Sequence, residues 1–161
     1  MTLEMEMQIS AIANATAEIS EELRLWPPAP PRNILFIGRE SVFEAIREQL
    51  TFAKVTCVCE ADCSKPTAPN FWKKLDWGNN YEVLLCVDLF GSNETSRSSE
   101  FFRRANICLR NEGRIVAIEH VVSESPEYFE LLRASTEAGC GLQSMVALNT
   151  DRRWSCIVFQ W

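Results

Sequence analysis

The chain has 161 residues, 47% apolar and 24% charged, and its 16 basic against 22 acidic side chains leave a formal net charge of −6. Those figures suit one ordinary globular domain and exclude a disordered or fibrous chain. The negative charge repels phosphate backbones, so no direct nucleic-acid partner is expected. No apolar run reaches the ~20 residues a membrane helix needs, so no membrane partner is expected either. Glu4 and Glu6 stand where a signal or transit peptide carries basic residues, which predicts a cytoplasmic chain.

Seven cysteines, an odd number with no secretory signal, predict reduced thiols. Most lie among Val, Leu and Ile, where cysteine acts as a small hydrophobe. Cys57, Cys59 and Cys63 have irregular spacing with no second cluster or histidine beside them, so no metal site is expected.

In chain order, Met5, Ile9, Ile12, Ile19, Leu23 and Trp26 recur at helical spacing and predict a helix over Leu3–Trp26. Its apolar stripe must bury against something. The prolines from Pro27 to Pro31 stop the helix and stiffen the connector, which favours packing on its own domain. Residues 1–31 are therefore read as an N-terminal helix and connector, and 32–161 as the main domain. Asn33–Ile37 reads as a strand ending at Gly38, Val42–Phe52 as a helix, and Val55–Cys59 as a strand ending at Glu60. Ala61–Asn70, with two prolines, reads as a loop, and Phe71–Trp77 as a short strand or helical turn. Val83–Leu89 is a strand, apolar apart from Asp88. Ser98–Leu109 is a helix, and Glu112-Gly113 turns into a strand over Arg114–Val122. Ser125-Pro126 opens a helix to Ala138, ended by Gly139 and Gly141. Leu142–Leu148 and Trp154–Trp161 are strands joined by five turn residues.

Strands alternating with helices, and apolar almost throughout, imply a three-layer, doubly wound, mostly parallel sheet. The last two strands must run antiparallel, because no crossover fits between them. The expected class is thus α/β, with a sheet ending in an antiparallel hairpin and an added N-terminal helix. Asp88 and His120 close neighbouring strands on the carboxyl edge, where open parallel sheets bind ligands. Imidazole suits a general base near neutral pH.

The run from Phe101 through Glu112-Gly113 to His120 resembles the class I S-adenosylmethionine-dependent methyltransferase superfamily, with Glu112 where a glycine is common. The entry Glu22-Leu23 through Pro31-Arg32-Asn33-Ile34-Leu35-Phe36-Ile37-Gly38 resembles that family's first helix and strand. The resemblance spans roughly Ile19 to Trp161, by order of elements more than by motif. It implies S-adenosylmethionine as cofactor, with Gly38 in the cofactor loop, Glu60 on the ribose hydroxyls and Asp76 with Trp77 at the adenine. Asp88 and His120 are then the candidate catalytic pair. The sequence departs from the family at the loop. Phe36 replaces the acidic residue of the first strand, and Glu40 and Val42 replace two glycines, where side chains are expected to crowd the cofactor.

Two functions follow from the resemblance. One is methyl transfer to an oxygen or nitrogen of a small molecule, the N-terminal helix forming a lid. The other is a catalytically inactive methyltransferase-like domain that acts as a protein-interaction or scaffolding subunit. The latter draws on the altered loop and on Trp26, Phe71, Trp72, Trp77, Trp154 and Trp161 as interface aromatics. It predicts a homo- or hetero-dimer through Phe71-Trp72 or the final hairpin.

Overall fold

The structure is a computed structural model that describes residues 3–24, 31–59, 81–90, 97–149 and 151–161. The readings for Pro27–Pro30, Ala61–Asn70 and Phe71–Trp77 fall outside those residues.

Among the described residues, six strands form one sheet: β1 (Asn33–Gly38), β2 (Lys54–Cys59), β3 (Tyr81–Val87), β4 (Leu109–Glu119), β5 (Gly141–Ala147) and β6 (Ser155–Gln160). Their spatial order is β2-β1-β3-β4-β6-β5. The first four are parallel, and β6 runs antiparallel between β4 and β5. β1, β3 and the second half of β4 are apolar on both faces because both faces are covered. On one face lie α1 (Leu3–Arg24) and α2 (Glu40–Ile46). Ile12, Ile19 and Leu23 of α1 and Val42 and Ile46 of α2 pack there on Ile34, Phe36, Val83, Leu85, Val116 and Ile118. The other face carries α3 (Ser99–Cys108) and α4 (Pro126–Glu137) over Leu35, Ile37, Leu84, Ile115, Ala117, Ile157 and Phe159. Phe90, Phe101, Phe102 and Phe159 cluster there, with Phe102 and Phe159 centroids 5.0 Å apart and tilted edge-to-face, as ring quadrupoles favour.

The antiparallel end of the sheet and the packing of α1 on its own domain are as expected from sequence. Ser98 and Ser125 cap α3 and α4 by accepting from Phe101 N and Tyr128 N, and Pro126 holds the first turn of α4. Several boundaries differ. The helix expected over Val42–Phe52 starts at Glu40 and tightens into a 3₁₀ turn over Arg47–Leu50. β3 stops at Val87 rather than Leu89, because Asp88 takes φ 52°, off the pleat. β4 begins at Leu109, directly after α3, rather than at Arg114. Tyr81 pairs with Leu109 but Val83 with Arg114, so the intervening residues bulge. A Cβ at Gly113 would lie 2.8 Å from the Arg110 carbonyl oxygen, so this close turn admits only glycine.

The cysteines divide. Cys86, Cys108, Cys140 and Cys156 are free thiols, the first three buried. Burial pushes the Cys108 thiol up to about 11 and Cys140 up to about 12. Cys57, expected reduced, is disulfide-bonded. Among the described residues, no helix is long and apolar enough to cross a membrane.

Candidate functional site

The chain leaves β1 toward β2 on one side and returns to β3 on the other. The connections that leave the carboxyl ends of β1 and β3 therefore diverge, and the crevice between them is the general ligand position of open α/β sheets. Gly38 ends β1. The Arg39 carbonyl already accepts from Val42 N and Phe43 N at 3.1 and 3.0 Å, so α2 starts with one residue between strand and helix. This corrects the expectation for Val42. Its side chain is 1% exposed and packs in the core with Phe36 and Ile46, out of the crevice. Glu40 is exposed in the first turn. Phe36 is fully buried, its ring 5.3 Å from that of Phe43. A Cβ at Gly38 would come within 2.7 Å of the Phe36 ring and 3.3 Å of the Val87 carbonyl. Gly38 thus lets β1 close over that ring.

Across the crevice, Asp88 follows β3 at φ 52°, with its N–H donating to the Ile118 carbonyl at 3.0 Å. Its side chain is 8% exposed, and its Oδ2 lies 3.8 Å from Arg39 Nη2. Burial raises the Asp88 carboxyl above its ordinary range, while the charges of Arg39 and His120 pull it back down. His120 follows β4 directly, is exposed, and lies with its ring 5.5 Å from that of Trp154. The structure thus brings Gly38, Asp88 and His120 to one edge of the sheet. Glu60, Asp76 and Trp77 lie outside the described residues.

Three further residues, not expected from sequence, build the site. Arg39 supplies the cation at the crevice. Glu119, fully buried at the end of β4, accepts from Leu89 N at 2.8 Å and so holds the turn that presents Asp88. Arg97 secures the same turn, donating to the Phe90 carbonyl and to Glu130 of α4 at 2.6 Å each. The available signal for Glu119 was an acid closing the apolar run Ile115–Ile118. Arg39 had only its place after Gly38.

This strand order, with one antiparallel strand inserted beside the sheet's far edge, is the class I S-adenosylmethionine-dependent methyltransferase fold. Solved structures bear this out. The mitomycin 7-O-methyltransferase superposes with a TM-score of 0.60 at 10% identity, over 94% of this chain and 54% of that one. The Burkholderia thailandensis 1,6-didemethyltoxoflavin-N1-methyltransferase, solved with its namesake compound and S-adenosylhomocysteine, gives 0.62 at 15% identity, over 97% and 80%. Aeropyrum pernix fibrillarin, with natively bound S-adenosyl-L-methionine, gives 0.64 at 15% identity, over 94% and 76%. The chain spans little more than half the length of the mitomycin enzyme and of other solved neighbours. No family model and no curated protein matches the sequence.

Proposed function

We propose that the domain binds S-adenosylmethionine in the crevice between β1 and β3 and transfers a methyl group to an oxygen or nitrogen of a small molecule. The observation that carries this is the Arg39–Asp88 pair facing across the switch point, with His120 on the same edge. The donor set fits the cofactor's amino-acid end, which bears one carboxylate and one ammonium. Arg39, 42% exposed, is placed to receive the carboxylate in charge-assisted hydrogen bonds, and Asp88 to accept from the ammonium. When bound, the cofactor supplies the electrophilic methyl group. His120 takes the proton released by the nucleophile, and the Asp88 carboxylate steadies the resulting imidazolium. Glu119 and Arg97 keep Asp88 in place without touching substrate. Support also comes from neighbours of this fold that are named as methyltransferases of small molecules.

A second reading, an inactive methyltransferase-like domain serving as an interaction subunit, is favoured by one observation. Phe36 fills the acidic position of β1 with a fully buried ring. Calorimetric titration with S-adenosylmethionine and S-adenosylhomocysteine decides between the two. The first reading expects a dissociation constant of ~10 μM or tighter, weakened roughly 10- to 100-fold by Arg39→Ala. No heat of binding to either compound overturns it and leaves the second.

A further inference from the structure

Among the described residues, β5 has β6 as its only strand neighbour and forms an edge of the sheet. The direction of its free hydrogen-bonding groups follows from one bond. Leu148 N donates to the Trp154 carbonyl at 2.9 Å. Along an antiparallel ladder, bonded and non-bonded pairs alternate. Val146 opposite Cys156, and Ser144 opposite Val158, therefore turn their N–H and C=O groups inward. Met145 and Ala147 turn theirs outward. Natural edges are blunted by charge, proline or bulges. Gly141–Ala147 contains no charged residue and no proline. The register shift between Leu142 and Ser144 interrupts only its first half. The second half is a regular, uncharged segment that exposes Val146 by 60%.

We propose that this half-strand pairs antiparallel with the same segment of a second copy, about a two-fold axis at Val146. The sheet then continues across two chains. Met145 of each copy lies opposite Ala147 of the other, and these outward-facing residues exchange their hydrogen bonds. Val146 meets the second copy's Val146 in a non-bonded pair, the arrangement that brings side chains closest. The edge is complementary to itself. The outward groups sit two residues apart around one exposed apolar side chain, so the segment is its own match under a two-fold operation. An uncharged edge offers nothing to a strongly acidic or basic partner. The helix packed against β5 is α4, where Arg133 and Glu137, exposed by 73% and 55%, pair with each other at 3.9 Å.

The test is sedimentation velocity of the full chain up to concentrations on the order of 100 μM, with amide hydrogen exchange on the same samples. The expected result is a dimer in which the Met145 and Ala147 amides are protected. Val146→Lys places two like charges on the axis, and Ala147→Pro removes an outward N–H while sparing the ladder to β6. Each is expected to give a monomer that melts as the parent does. A parent that stays monomeric overturns the proposal. So does a dimer with freely exchanging Met145 and Ala147 amides, or one that survives both substitutions. Should a variant fail to fold, protection of those two amides in the parent still decides.

Discussion

Asp88 meets two opposing demands. Its carboxylate must be present in the crevice to be useful, yet 92% of the side chain's surface is out of water, the complement of its 8% exposure. Its pKa is accordingly raised in the folded state, first by burial, with Arg39 and His120 working against the shift. A raised carboxyl pKa means the native state binds that proton more tightly than the unfolded chain does. The linked cost is absent below the unfolded value of 3.8, builds as pH rises from there toward the higher folded value, and is complete above that value. Asp88→Asn keeps the shape and tolerates the left-handed backbone at φ 52°. It is expected to stabilise the fold by roughly 1 kcal/mol at pH 7. The gain should vanish in denaturant melts repeated at acid pH. Glu112 pays a different cost, at φ 67° where glycine is the relaxed residue. Glu112→Gly should raise stability by up to about 1 kcal/mol, read as a shift in melt midpoint. Asp88 and His120 were legible because a titratable group ending an apolar strand has few bland explanations. Arg39 was not, since an arginine beside a glycine reads as a solvated loop residue until the fold sets it opposite an acid.

Among the elements, α1 shows how far periodicity carries. The spacing of Ile12, Ile19 and Leu23 located the buried stripe, and all three are at most 3% exposed. Toward the start of the helix the burial fades: Ile9 is half-buried, and Leu3 and Met7, off the stripe, are 73% and 65% exposed. Glu18 accepts from Asn149 N at 2.9 Å and so ties α1 to the turn between β5 and β6. In that turn Arg153 donates to Asp151, whose carboxyl is held at about 2. Leu23→Ala should therefore destabilise by about 2–4 kcal/mol, whereas Met7→Ala should change stability by less than about 0.5 kcal/mol. Urea melts of both variants check this, and equal losses would contradict the packing. The shorter α2 and longer β4 were not legible. Both boundaries depend on tertiary partners: the sheet pairing of Leu109 with Tyr81, and the direct entry of α2 from Arg39.

For the molecule as a whole, the sequence divides more cleanly than the packing does. The prolines invite a boundary at residue 31, with a main domain of 32–161. Yet the two apolar clusters share one sheet, and α1 supplies Ile12, Ala15, Ile19 and Leu23 to one of them. The same cluster holds residues of three strands, among them Ile34, Phe36, Val83 and Val116, together with Leu148 just after β5. Without α1, that face would open to water over β4 and along the flank of α2. Burial contributes roughly 1.5–3 kcal/mol per large aliphatic side chain, so three such residues match much of a domain's typical net stability of 5–15 kcal/mol. We therefore expect a chain lacking residues 1–31 to lose cooperative unfolding and to bind a hydrophobic dye, while the full chain melts in one transition by both circular dichroism and tryptophan fluorescence. A truncated chain that melts as sharply as the parent would show that 32–161 folds alone, and that α1 is an attachment rather than a wall of the core.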